Sequence, residues 1–410
     1  MAKIKLKQNL IIPIKRLVIC IIFGSCCGSI GFLFFKTVEV VTTFRANYNN
    51  IIYLLPLGGL LSVFINKKLQ TTKLNTNTVI NSVNDKTNLN PKILPAIFIS
   101  SAITHLFGGS AGREGAALQM GGGAAIYIGK AFKLNGDELR ALTVAGMGAV
   151  FAALFGTPIG AFIFALEVAY NKRIVLKSVI PTLISSFLAY FVSISLGAHP
   201  ERFNVNYADY DISIILKASL ISVAVCVVGA AFCYALKYCH IYFKKAIKNE
   251  YLLILIGSII VILLTVIVGT QDYNGSGSEL IVKIFEEGKV NYYDFLLKLV
   301  FTVITISVGF RGGEIVPSFC IGATLGGFLA LTFGVDITVG AAIGMAAIFS
   351  TVTKCPLATI FICLELFGIK CLPICIWVVV ISVFISSQNG LYDYKHNNFT
   401  IFKFIKASQI

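Results

Sequence analysis

The stretch Gly146-Met-Gly-Ala-Val-Phe-Ala-Ala-Leu-Phe-Gly-Thr-Pro158 is answered later in the chain by Gly344-Met-Ala-Ala-Ile-Phe-Ser-Thr-Val-Thr-Lys-Cys-Pro356. Gly146 and Gly344, Pro158 and Pro356, and Glu167 and Glu365 are each 198 residues apart. A single matched glycine or proline would mean little. Here glycine, methionine, alanine, phenylalanine, proline, leucine and glutamate all hold one register, so the chain is a duplication and its halves must be read together.

The residues around the repeat say what the halves are made of. Hydrophobic residues make up 57% of the 410 positions and charged ones 13%, and the mean hydropathy is +0.84. That is too little polar surface for a soluble domain; the composition points to an all-α polytopic membrane protein, in which every backbone polar group is satisfied within helices. Apolar runs cover residues 17–35, 51–65, 93–107, 174–196, 212–236, 251–268, 295–308 and 372–385. Several are shorter than the roughly 20 residues a straight span needs. Short, glycine-broken segments suggest helices that stop part-way through the bilayer with their ends around a solute site.

The formal net charge of +15 is not a nucleic-acid footprint, because the lysines and arginines sit mostly at the edges of apolar runs. The positive-inside rule accounts for them. Lys3, Lys5, Lys7, Lys15 and Arg16 precede the first run and place the N-terminus in the cytoplasm; no small-residue cleavage site marks that run as a removable signal. The first run of the second half follows Asp209 and Asp211 and ends at Lys237, Lys244, Lys245 and Lys248. With its basic end last instead of first, the second half has the opposite topology. The expected organisation is one transmembrane domain over 1–410: repeat one at 14–198, an outside-facing linker at 199–211, repeat two at 212–392 and a short cytoplasmic tail at 393–410.

Eleven cysteines are present, none in a CxxC pair, and Cys26, Cys27, Cys226, Cys233, Cys320 and Cys363 lie within apolar stretches. They read as small buried hydrophobes; no disulfide, metal or cofactor framework is expected. His105 reads as a structural histidine, not a proton carrier.

The chemistry concentrates in Phe107-Gly-Gly-Ser-Ala-Gly-Arg-Glu-Gly-Ala-Ala-Leu-Gln-Met-Gly-Gly-Gly123. An ionisable residue in such a setting, here Glu114, marks function. The glycines let a backbone approach something small and let a helix start abruptly with unpaired N–H groups, which bind anions. Glu114 can be that anion and can leave when protonated, which makes it a gate. About one repeat later, Gly312-Gly-Glu314-Ile-Val-Pro317 offers a second acidic, glycine-flanked loop.

These residues resemble the CLC family of chloride channels and anion/proton exchangers. Gly112-Arg-Glu-Gly115 is similar to its gating-glutamate motif and Gly312-Gly-Glu-Ile-Val-Pro317 to its second anion-coordinating loop. Asn389-Gly-Leu-Tyr392 resembles the segment carrying its central tyrosine. The ordered set covers almost the whole chain. The resemblance implies a CLC-like fold of two inverted repeats, a homodimer in the lipid bilayer, and no enzymatic activity. It implies an anion held by Gly112, Arg113, Gly115, Gly313, Glu314, Ile315 and Tyr392, with Arg113 contributing field instead of a direct bond.

Departures point to a branch. The family's serine-bearing first loop aligns with Asn75-Thr-Asn-Thr-Val79; the serine position falls on Thr76, or on Asn75 or Asn77 if the register shifts by one. Loss of that serine and the presence of Glu314 resemble the fluoride/proton antiporter branch. The second-loop threonine of some of its members is Val316 here, and the usual first-loop glycine is Asn75. The two consecutive internal glutamates of chloride/proton exchangers are Glu167 and Val168, so the inner proton-transfer acid is missing, as in the fluoride branch or in a passive channel. Glu314 reads as a second proton-handling or ligand-competing acid, or as a cap for the helix after it; Tyr392 reads as an anion donor or an interfacial aromatic. Glu167 and Glu365 read as scaffold at helix ends.

The expected function is export of fluoride from the bacterial cytoplasmic membrane's inner side in exchange for protons, with Glu114 and Glu314 handling protons. A chloride channel or chloride/proton exchanger is the alternative within the family. An intramembrane enzyme using Glu114 and His105 is the alternative outside it, and lacks nucleophile or metal spacing; a non-transporting anion sensor is a third. The tail is too short for a nucleotide-binding module.

Overall fold

The computed structural model describes residues 2–85, 87–169, 172–206, 211–385 and 390–392, with side chains from residue 15 onward except that of Lys172. Asn389 and the expected tail lie outside the described residues. The first half holds α1 (Ala2–Asn47), α2 (Leu55–Lys68), α3 (Thr76–Asn84), α4 (Ile93–Leu106), α5 (Glu114–Ala131), α6 (Gly136–Phe155), α7 (Pro158–Val168) and α8 (Lys172–Ser195). The second holds α9 (Ile212–Ala246), α10 (Glu250–Val268), α11 (Ser278–Val282), α12 (Asp294–Ser307), α13 (Ile315–Phe333), α14 (Ile337–Thr353), α15 (Pro356–Phe367) and α16 (Leu372–Ile385). The order recurs element for element, and among the described residues the only β pairing is an isolated bridge.

Local chemistry sets the boundaries. Pro158 and Pro356 open α7 and α15, where a missing N–H costs nothing. The preceding helices, α6 and α14, both end on a left-handed residue: Gly156 at φ 73° and, 198 residues on, Lys354 at φ 57°. The apolar run at 51–65 does not make one helix. It divides into a 3₁₀ turn, Asn49–Leu54, and α2, with Pro56 at the start of α2.

Among the described residues, seven helical stretches are long and apolar enough to cross a membrane by length and composition, the 3₁₀ turn and α2 counting as one. They fall into two populations. The apolar windows of α9 and α10 are 33% buried, whereas those of α6 and α13 are 83% and 78% buried. The inner helices are the ones that the hydropathy runs passed over, because glycine and alanine replace large apolar residues there. A Cβ on Gly121 of α5 would collide with the main chain of Gly146 on α6, and one on Gly322 of α13 would collide with the carbonyl of Gly344 on α14. Both pairs bring helix backbones into direct contact, once in each half.

The halves are also tied at their short helices. The Glu365 carboxylate accepts from the N–H groups of Ile159 (3.0 Å) and Gly160 (2.7 Å) at the start of α7. Glu167 does the same for Leu357 (3.2 Å) and Ala358 (2.7 Å) at the start of α15. Each repeat therefore caps a helix of the other, satisfying otherwise unpaired donors with a carboxylate matched to the positive end of the helix. This pair leaves both acids occupied away from the glycine loops.

Candidate functional site

The two glycine loops meet back to back. The Gly112 N–H donates to the Gly313 carbonyl at 2.7 Å and the Gly313 N–H donates to the Gly112 carbonyl at 2.6 Å. A Cβ on Gly115 would come within 2.7 Å of Gly313 Cα, so this approach requires glycine on both sides. Helices α5 and α13 begin at this junction. Their first N–H groups have no acceptor within their own helices, and both helix ends carry partial positive charge. Two such ends at one point are a candidate anion site.

Glu114 occupies the start of α5. Its side chain is wholly inaccessible, and Oε2 accepts from the Arg113 N–H at 3.0 Å. The other carboxylate oxygen, Oε1, has no hydrogen-bond partner among the described residues. The acid folds back over its own helix start, where a bound anion would also sit.

Arg113 lies near two carboxylates. Neighbouring residues at a helix start face each other poorly, yet the Arg113 Nε lies 3.7 Å from Glu114 Oε1. The stronger pair is with Glu201 of the inter-repeat linker, Nη2 to Oε1 at 2.8 Å, and the guanidinium lies 5.2 Å over the Phe35 ring. The guanidinium thus serves two carboxylates, with its shorter contact to Glu201.

Glu314 stands at the N-cap of α13, but its side chain makes no capping bond. Its Oε2 is buried without a hydrogen-bond partner among the described residues, so the capping role is not the one it plays. Glu314 lines an open cavity of about 470 Å³ together with Asn75, Thr76, Asn77, Gln119 and Tyr392. Ile315 is fully buried just behind it. Glu114 is not part of the cavity wall. The cavity wall does include Gly312 and Glu314, the residues on either side of Gly313.

A cap orders the first loop. Asn75 is the N-cap of α3, and its side-chain oxygen accepts from the Thr78 N–H at 3.0 Å. Thr76 is the buried member: its hydroxyl donates to the Gly115 carbonyl at 3.5 Å and accepts from Gln119 Nε2 at 3.2 Å. Tyr392 is 4% exposed and continues an aromatic series through Phe164, Phe349 and Phe319, with Phe164 at 6.4 Å from its ring. His105 is buried, its main-chain carbonyl accepting from Arg45 at 2.9 Å.

Three residues passed over in the sequence belong to this setting. Gln119 connects the helix of Glu114 to Thr76. Arg311 lines the cavity and binds the loop before α3. Lys298, fully buried, donates to Ser110 Oγ (3.0 Å) and to the carbonyls of Tyr273 (3.1 Å) and Gly275 (2.8 Å). Gln119 and Lys298 are polar residues within helices and Arg311 stands in the loop before α13, but the partners of all three lie far away in sequence.

Comparison with known proteins agrees with this geometry. The family model described as voltage gated chloride channel matches residues 58–387. A chloride/fluoride channel protein of Pseudomonas syringae pv. tomato is 30% identical, the match covering 92% of this chain and 85% of that protein. An H(+)/Cl(-) exchange transporter of Vibrio cholerae is 26% identical over 67% of this chain and 62% of its own length. The crystal structure of a CLC-type fluoride/proton antiporter superposes with a TM-score of 0.88 at 33% identity, covering 92% of this chain and 97% of the other. A slow cyanobacterial Cl-/H+ antiporter superposes with a TM-score of 0.76 at 18% identity, covering 91% and 95%, which is a likeness of fold.

Proposed function

The chain belongs to the voltage gated chloride channel family, and on that premise we propose that it exports fluoride from the cytoplasm in exchange for inward-moving protons. Family membership makes it a membrane transport protein and sets aside the intramembrane enzyme. The observation that carries the reading is the position of Glu114: a fully buried carboxylate at a helix start, where the two glycine loops meet, with one oxygen lacking a hydrogen-bond partner among the described residues.

Fluoride is small and strongly hydrated, so removing its water takes several close, fixed donors. The cavity presents Thr76, Gln119 and Tyr392 and leads to the start of α13. Lys73, Lys237, Lys244 and Arg311 stand against Glu250 and Glu314 in its wall, and this positive balance draws anions inward. The basic flank of α9 puts this mouth on the cytoplasmic side. Ionised, Glu114 occupies the outer anion position and blocks passage. Protonated, it loses its attraction to the helix start, swings out, admits the anion and carries a proton the other way. Glu314, in the cavity wall and with a buried oxygen that has no hydrogen-bond partner among the described residues, is the second proton-handling acid, which compensates for Val168 at the usual inner position. The protein works as a homodimer in the bacterial cytoplasmic membrane.

A specific observation favours one competing reading. Thr76 presents a hydroxyl at the first loop, and a hydroxyl there suits a chloride carrier. Fluoride and chloride efflux from liposomes containing the purified protein separates the two. Faster fluoride efflux supports the proposal, and faster chloride efflux replaces it with a chloride exchanger.

A further inference from the structure

Arg311 precedes the second loop directly and reaches across to the first. Its Nη2 donates to the carbonyls of Thr71 (3.0 Å) and Thr72 (2.9 Å), and its Nη1 donates to that of Leu74. Among the described residues it has no ion-pair partner. A guanidinium whose hydrogen bonds go to main-chain carbonyls is a clamp, because its planar fork fixes several oxygens in one geometry.

The clamped segment is held from its other side too. The Thr71 N–H donates to the Asn66 carbonyl at 2.8 Å and its hydroxyl to Asn66 Oδ1 at 3.0 Å, while Asn66 Nδ2 donates to Ser100 Oγ at 2.8 Å. The Leu74 N–H returns to the Thr71 carbonyl at 2.9 Å. Asn75 then caps α3 and delivers Thr76 to Gly115 and Gln119. Gly115 abuts Gly313, two residues from Arg311. The contacts form a closed ring: Arg311, the 71–74 turn, Thr76, Gly115, Gly313 and back to Arg311. The candidate anion site lies within it.

We propose that Arg311 is the specificity-determining positioning residue of this transporter, locking the first loop to the second so that the ring holds a small anion and excludes a larger one. The inference rests on the anion-site reading above. A ring of fixed donors discriminates by size only while its diameter is held. Arg311 touches no anion itself; it sets how far Thr76 stands from the start of α13.

The test measures fluoride and chloride efflux from liposomes for the full chain and for Arg311→Lys, Arg311→Gln and Asn66→Ala. Lysine keeps the charge but cannot hold three carbonyls in one plane. Asn66→Ala loosens the same turn without touching Arg311. The fluoride-to-chloride rate ratio should fall about ten-fold in Arg311→Gln, the size of effect expected when a charge-assisted anchor is lost, and in the same direction in the other two variants. An unchanged ratio in Arg311→Lys and Asn66→Ala, even with slower transport of both ions, overturns the proposal. If the unaltered protein moves chloride faster, the fluoride reading fails, and Arg311 is still judged by whether the ratio shifts. If it moves neither ion, calorimetric binding of fluoride and chloride supplies the same ratio.

Discussion

Gly112 and Gly313 donate to each other's carbonyls, at 2.7 and 2.6 Å, across the boundary between the two repeats. This pair joins the two helix starts into one unit. A methyl group on Gly313 would press on the Gly115 N–H, and the obstacle is backbone, which cannot turn aside. Gly313→Ala is therefore expected to slow transport of fluoride and chloride together by about ten-fold or more, a change of roughly 1.4 kcal/mol or above in barrier. Efflux assays on protein that still elutes as a single species check it.

The reciprocal caps at Glu167 and Glu365 should behave as scaffold. Each carboxylate accepts two N–H groups, and glutamine would turn an NH₂ toward one of them. Glu167→Gln and Glu365→Gln should each cost about 1–2 kcal/mol of stability, seen as a lower melting temperature. The fluoride-to-chloride ratio should stay as it is; a change in proton coupling with unaltered stability would give Glu167 a transport role instead.

Tyr392→Phe keeps the ring against Phe164, 6.4 Å away, and removes the hydroxyl from the cavity wall. If that hydroxyl completes the anion site, the apparent KM for fluoride should rise about five-fold, the worth of roughly 1 kcal/mol, with little change in maximal rate. Equal KM values would leave Tyr392 as packing alone.

The duplication and the two loops were legible because glycine and proline leave fixed marks: Pro158 and Pro356 start helices, and Gly112, Gly115 and Gly313 mark where backbones touch. The assignment of Glu167 and Glu365 to helix ends followed from their shared position in both halves. Their exchange across the repeats was not visible, since pairing of Glu167 with Leu357 and Ala358 is a fact of tertiary packing. Arg311 and Lys298 were missed for a related reason. Their partners are main-chain carbonyls, which no residue type advertises. Asn75, Thr76 and Asn77 could not be told apart in the sequence because all are polar and short; in the fold Asn75 caps α3 and Thr76 is buried.

In the proposed mechanism, protonation of Glu114 opens the outer position. Fluoride efflux should therefore accelerate as pH falls, because the neutral acid no longer binds the start of α5. In Glu114→Gln, which mimics the neutral form permanently, efflux should persist with no such pH dependence. A pH response that survives the substitution would assign the proton to another group, Glu314 first.

The most direct test of the gate is proton movement driven by a fluoride gradient in liposomes, compared between the unaltered protein and Glu114→Gln. An outward fluoride gradient should drive protons inward through the unaltered protein, and Glu114→Gln should pass fluoride while moving no protons. Fluoride-driven proton movement of equal size in both proteins would contradict the account.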